Sequence, residues 1–298
     1  MRRIATAVAL VTEAIALLAM GACAPASPSR FAGPEGAERG PSKTSPKVLT
    51  LAMGKEPDAW NTDLVRVTRG GGITFLTLVV HNKLTVEAEA FAYVPQLAVE
   101  QISVEKGTWR INPDKTMTTT WRIHQNVKWH DGVPFTSDDL MFTFNVMKDP
   151  EVPNTVGAGL RILQAAEQPD PYTFVIHWAG PYVNADQAPW LFPMPKHLLE
   201  DAYRRDRASF PSHPWMTTEF VGLGAYRLAR WERGSYIEFA RFDDYFKGRP
   251  PFDTVVMRFM GDENGMIAAV LAGQVDLDRK STRLNSSHIQ KSRMPSSA

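Results

Sequence analysis

The sequence predicts an α/β fold, and three observations carry that prediction. Period-two alternation recurs in short runs, most clearly where Met117, Thr119, Trp121 and Ile123 alternate with Thr118, Thr120, Arg122 and His124, as a strand with one buried face requires. Apolar residues at helical spacing follow capping residues at Thr136 and Asp262, the pattern of helices with one face against a core. The two periodicities mix along the chain without a strict strand–helix–strand cadence, and no internal repeat is present.

Taken in order, Val48 to Met53 alternates as the first strand of the body. The loop Gly54-Lys55-Glu56-Pro57-Asp58-Ala59 leads to Trp60; its loop position sets Trp60 apart from Trp121 and Trp178, which alternate on strands and read as core. Thr68-Arg69-Gly70-Gly71-Gly72 then precedes the apolar run Ile73 to Val80. Thr108 to Asn112 and Thr116 to His124 form a hairpin about Pro113-Asp114-Lys115. Tyr172, Phe174, Ile176 and Trp178 mark another strand, and Pro195 to Arg205 is a helix opened by proline. Ala225 to Glu232 and Ser235 to Phe242 form a second hairpin about Arg233-Gly234. Thr254 to Phe259 is a strand, Asp262 caps a helix that runs through Ala272, and Val275 to Leu277 begins a last strand.

The most informative stretch runs from Thr118 to Asn145. After its strand, Asp131-Gly132 and Val133-Pro134 supply turn chemistry, since glycine tolerates positive φ and proline keeps the residue before it out of helix. Thr136 is placed to accept a backbone N–H as N-cap, and Asp139, three residues on, to reach back and favour the positive end of the helix. Leu140, Met141, Phe144 and Met147 give that helix an apolar stripe.

This order of residues resembles the signature of the family 5 extracellular solute-binding proteins, the peptide, oligopeptide and nickel receptors of ABC importers. The matching positions are Lys128, Asp131, Gly132, Pro134, Thr136 and Asp139, with Trp129 and His130 as common fillers. A second block is similar to the same family's later conserved stretch: Val221-Gly222-Leu223-Gly224-Ala225-Tyr226, Trp231-Glu232-Arg233-Gly234, Tyr245-Phe246-Lys247-Gly248-Arg249-Pro250 and Leu271-Ala272-Gly273-Gln274-Val275-Asp276-Leu277. Here Gly-Leu-Gly-Ala-Tyr stands where many members carry Gly-Thr-Gly-Pro-Tyr. The resemblance covers residues 47–278.

The resemblance implies a periplasmic-binding-protein-like Venus-flytrap fold of type II, truncated to lobe I plus an inserted subdomain. Residues 47–66 and 170–278 would form a discontinuous lobe I, 67–169 the inserted subdomain, and the second ligand lobe would be absent. In the family the segment after the first strand lines the cleft. On that basis Trp60, Arg69, Gly70, Gly71 and Gly72 are candidate ligand-binding residues, and Tyr226, after the Gly222-x-Gly224 turn, is a further candidate. The three glycines leave backbone N–H and C=O groups open to pair with an extended peptide, and Arg69 suits a carboxylate end. A flexible turn, a solvated arginine and core packing of Tyr226 are the plainer alternatives.

The ends read differently from the body. Arg2-Arg3, the apolar run Ile4 to Met20 and the small residues Gly21-Ala22 before Cys23 read as an export signal over residues 1–22. Thr12 and Glu13 interrupt a run already shorter than the roughly 20 residues a spanning helix needs. Cys23 is the only cysteine, so no internal disulfide forms. It sits where a bacterial lipobox carries its lipid-modified thiol, although Met20 replaces the usual leucine. Residues 23–46, rich in Ala, Pro, Ser and Gly, read as a tether. Residues 279–298 are basic and Ser-rich with no acidic residue, and read as a disordered, non-native tail. Arg2, Arg3 and the tail's Arg279, Lys280, Arg283, Lys291 and Arg293 offset an acidic body, giving a formal charge of only +1. Nothing in that balance asks for nucleic acid.

Enzyme chemistry lacks its parts. The sequence has no Gly-x-Ser-x-Gly, Gly-x-x-x-x-Gly-Lys, His-Glu-x-x-His or Cys-x-x-Cys pattern. His124 and His130, six apart across a strand and a turn, give no helical metal face. Asp138 and Asp139 point about 100° apart on a helix, which suits capping better than paired acid–base work. The expectation is a lipid-anchored, monomeric receptor on the outer face of the cytoplasmic membrane or in the periplasm. It would capture a peptide or other small solute for an ABC permease and ATPase, with no cofactor, metal or catalytic residue. A structural or sensory lipoprotein of the same fold is the alternative, and a hydrolase comes third.

Overall fold

The computed structural model describes residues 46–61, 63, 64, 73–88, 92–154, 157–187 and 191–278. The expected signal peptide, Cys23, the tether, Arg69, Gly70, Gly71, Gly72 and the 279–298 tail lie outside these residues. The described residues fall into two units, one with residues 87, 88, 92 and 93 and the other with the rest. In the first, the described backbone makes a tight return in which the Ala88 N–H donates to the Ala92 carbonyl at 2.8 Å.

The second unit is built on two sheets. The first contains β1 (Val48–Met53), β8 (Tyr226–Glu232), β9 (Tyr236–Arg241), β10 (Thr254–Phe259) and β11 (Leu277–Asp278), in the order β11-β1-β10-β9-β8. β1 lies parallel to β10, pairing Val48 with Thr254 through Met53 with Phe259, and parallel to β11 on its other side. β10, β9 and β8 are antiparallel in turn, with Gly234 at φ 74° making the β8–β9 turn.

The second sheet takes β4 (Trp109–Ile111), β5 (Met117–Arg122), β6 (Leu163–Asp170) and β7 (Thr173–Trp178) in the order β4-β5-β7-β6, all antiparallel. β5 buries Met117, Thr119 and Trp121, and β7 buries Phe174, Ile176 and Trp178, so the alternation read in the sequence is the alternation of the pleat. β2 (Thr85–Glu87) and β3 (Tyr93–Pro95) pair as a short ribbon. Four α-helices are described: α1 (Ile73–Val80), α2 (Ser137–Lys148), α3 (Lys196–Arg205) and α4 (Glu263–Leu271). None of the described helices is long and apolar enough to cross a membrane.

The sheets and helices bear on two expectations. β7 pairs with both β5 and β6, so the second sheet runs across residues 169 and 170, and the chain re-enters the first sheet at β8. The β6–β7 hairpin turns at Pro171-Tyr172. The single apolar stripe expected on α2 is too narrow, since Phe142 and Val146 are buried along with Leu140, Phe144 and Met147, whereas Met141 is only partly covered. α3 supplies the extra cover, with Tyr203 meeting the Phe142 ring edge-on at 5.7 Å.

Candidate functional site

The signature motif forms a knot of backbone bonds before it forms anything else. Gly132, at φ 91°, lets the turn close, and its N–H donates to the Trp129 carbonyl at 2.8 Å while the Trp129 N–H donates to Val133 at 2.8 Å. Asp131 Oδ1 accepts from the Val133 N–H at 3.2 Å, and its Oδ2 pairs with His197 at 2.6 Å. The capping box forms as the sequence predicts: the Asp138 N–H donates to Thr136 Oγ1 at 3.3 Å and the Thr136 N–H to Asp139 Oδ2 at 3.1 Å.

Asp139 does more than cap its own helix. Its carboxylate also accepts from Trp129 Nε1 at 3.2 Å and from the Lys196 N–H, the first amide of α3, at 3.0 Å. One buried carboxylate thus joins the turn, α2 and the start of α3. Burial raises its pKa, and the hydrogen bonds it accepts pull the other way.

The two motif blocks meet at the backbone of Gly222, Leu223 and Gly224, where all six polar groups are satisfied. His130 holds three ends of this clasp: its N–H donates to the Gly222 carbonyl at 3.0 Å, its Nδ1 accepts from the Gly222 N–H at 3.1 Å, and its Nε2 sits 3.1 Å from the Gly224 carbonyl. Because Nδ1 accepts, the ring proton is on Nε2 and donates to Gly224. The Leu223 N–H donates to His81 Nδ1 at 3.3 Å, and Asn82 Nδ2 donates to the Leu223 carbonyl at 2.8 Å. The Gly224 N–H closes the set on the Val80 carbonyl at 3.0 Å.

Glycine is required at both positions by this approach. A Cβ on Gly222 would stand 2.0 Å from the Val80 carbonyl oxygen, and one on Gly224 2.3 Å from the Val80 carbonyl carbon. Burial drives the His130 pKa down to about 4 and that of His81 well below the ordinary value, with Lys83 and His130 adding to the effect. Both rings are therefore neutral hydrogen-bonding struts. Lys128, on the same motif, reaches Asp244 at 2.8 Å and ties the turn to the loop that follows β9.

Trp60 is buried, with only 1% of its surface exposed. Its Nε1 donates to the Thr217 carbonyl at 2.6 Å and its ring packs on Phe220, Trp231 and Phe239, so in this structure no face of the ring is open. Tyr226 is buried at the start of β8, and its hydroxyl accepts from the Phe252 N–H at 3.3 Å. Arg69, Gly70, Gly71 and Gly72 fall outside the described residues. Sequence reasoning misses Glu56, which anchors the segment leaving β1: it accepts from Trp231 Nε1 at 2.6 Å and the Gly234 N–H at 2.9 Å. A carboxylate next to Pro57 in a loop carries no periodicity that points to it.

The carboxyl ends of β1 and β10 finish side by side, with the Met260 N–H donating to the Met53 carbonyl at 2.8 Å. Beyond them lies an open depression of about 440 Å³ lined by Met260, Gly261, Asp262, Gly265, Ala268 and Gln274. Sheets with parallel strands place ligands outside the carboxyl ends of those strands, and the small side chains here leave room for one.

Comparison with known proteins agrees with this architecture. Residues 92–293 match the family described as bacterial extracellular solute-binding proteins, family 5 Middle. A putative ABC transporter peptide-binding protein of Brucella ovis is 29% identical over 169 residues, which cover 56% of this chain and 31% of the relative. The oligopeptide-binding protein AppA of Bacillus subtilis is 28% identical over 159 residues, covering 52% of this chain and 28% of AppA. The chain thus spans less than a third of the length of these relatives. Among solved structures, AppA in complex with a nonapeptide superposes with a TM-score of 0.66 at 23% identity, over 78% of this chain and 44% of that one. An oligopeptide-binding protein from Thermus thermophilus complexed with a pentapeptide gives 0.68 at 21% identity, over 76% and 43%. These likenesses establish the type II periplasmic-binding-protein fold. With its signature motif, its second block and more than half its length matched, the chain belongs to the bacterial extracellular solute-binding proteins of family 5.

Proposed function

We propose that this chain supplies one wall of an extracytoplasmic receptor that captures peptides and delivers them to an ABC permease and its ATPase. The observation that carries the reading is the depression that opens where the chain leaves the carboxyl end of β10, the strand that runs parallel to β1. The relatives named for peptide binding support the choice of solute. Capture proceeds by closure of two lobes about a hinge and involves no covalent chemistry. In this reading the first sheet is the core of lobe I and the second sheet with α2 forms the inserted subdomain. Arg69 and Gly70, Gly71 and Gly72 offer a carboxylate partner and open backbone to the peptide, while Trp60 and Tyr226 act from beneath the wall.

The N-terminal sequence supports export to the periplasm or the outer face of the cytoplasmic membrane, where Cys23 carries the lipid anchor of a monomeric receptor. Two acyl chains at about 0.8 kcal/mol per buried methylene suffice for stable attachment. Replacing Cys23 with Ser then releases the protein from the membrane fraction; retention in that fraction overturns the anchor. The function itself is tested by filling the depression. In the receptor expressed from its complete locus, Ala268→Trp is expected to abolish calorimetric binding of di- to pentapeptides while leaving the urea midpoint within error. Unaltered peptide affinity in that variant would move the site elsewhere.

A further inference from the structure

We propose that His81 and His130 form an acid-operated release for the Gly222-Leu223-Gly224 clasp. The geometry sets it up. Each imidazole uses Nδ1 to accept a backbone N–H, from Leu223 at 3.3 Å and from Gly222 at 3.1 Å. Both rings are buried, at 0% and 9% exposure. A proton taken from solvent by either Nδ1 turns an accepted hydrogen bond into two N–H groups facing each other, so that the buried amide loses its only acceptor. The adjacent residues of one turn are held this way, so release of one strains the other.

The surroundings sharpen the response. His81 is stacked on Phe192 at 4.2 Å and on Trp129 at 6.0 Å, and the charged groups acting on it are Lys83 and His130, both opposing protonation, with only the Pro193 backbone favouring it. His130 meets the Phe242 ring edge-on at 5.2 Å; Arg227 opposes its protonation, while Asp131 and the Gly224 carbonyl favour it. Among the described residues no carboxylate acts directly on His81, and the one acting on His130 is already paired with His197. Charging either ring therefore discourages charging the other while both stay buried, and the system escapes by opening. What opens is the junction through which the signature turn and the end of α1 hold the start of β8.

The sign follows from the depressed values. The unfolded chain takes up these protons near 6.5 and the folded clasp only near 4 for His130, so the clasp is fully stabilising above 6.5 and weakens as pH falls from there toward 4. The test is an acid titration of the whole chain, following amide exchange at Gly222, Leu223 and Gly224. The comparison is a His81→Asn/His130→Asn variant, whose Asn Oδ1 atoms accept the same amides without titrating. Wild type is expected to lose protection between about pH 6 and 4 with uptake of two protons, and the variant to lose it about one pH unit lower. Equal midpoints in the two proteins overturn the proposal. Should the variant fail to fold, imidazole ¹⁵N spectra of the wild type decide: both Nδ1 atoms should gain protons only as the three amides lose protection. Protonation of either ring with those amides still protected overturns it.

Discussion

Gly224 shows how much a single residue carries here. A Cβ would meet the Val80 carbonyl carbon at 2.3 Å and the His81 amide nitrogen at 2.5 Å, backbone atoms with no freedom to yield, so Gly224→Ala should cost at least about 3 kcal/mol, read as a lowered urea midpoint. Asp139→Asn keeps the volume but cannot accept from Trp129, Thr136 and Lys196 together, and should cost about 2 kcal/mol in the same assay. The sequence makes Gly222 and Gly224 legible as a turn. Why both are glycine is not, because the atoms they avoid belong to a helix about 140 positions away. His130 likewise looks like filler in the motif until the fold brings Gly222 and Gly224 to its two ring nitrogens.

At the scale of elements, local chemistry that closes on itself is legible. The capping box of α2 involves residues three apart, and Thr136→Ala should cost about 1 kcal/mol of stability, measured by chemical denaturation. The β4–β5 turn places Lys115 at φ 70°, the left-handed region where an L side chain is strained. Lys115→Gly should therefore leave stability unchanged or raise it by about 0.5 kcal/mol, the relieved strain being partly cancelled by glycine's larger unfolded-state entropy; a clear loss in thermal midpoint would contradict this. β6 is not legible, since Gln164-Ala165-Ala166-Glu167-Gln168-Pro169 has no alternation. It is an edge strand with two register shifts, mostly exposed, and it takes its conformation from β7. The burial of Phe142 and Val146 on α2, beyond the expected stripe, is equally hidden, because it depends on where α3 lands.

For the whole molecule, the order of the two blocks in the sequence predicts the family and the mixed architecture, whereas the way they lock together needs three dimensions. Titration also belongs to this scale. The depressed histidines lower stability as pH falls from 6.5 toward 4, whereas Asp139, with its pKa raised by burial, favours the folded state more as pH falls. Folding free energy at pH 5 should thus lie below that at pH 7, and Asp139→Asn should steepen the decline; a flat profile between these values would contradict the assignment.

The most direct measurement is calorimetric titration of the receptor expressed from its complete locus with di- to pentapeptides, alongside the 298-residue chain. Saturable one-to-one binding by the complete receptor, with sub-micromolar affinity absent from the 298-residue chain, is the predicted result. Absence of peptide binding by the complete receptor, or sub-micromolar binding by the shorter chain alone, would contradict the account.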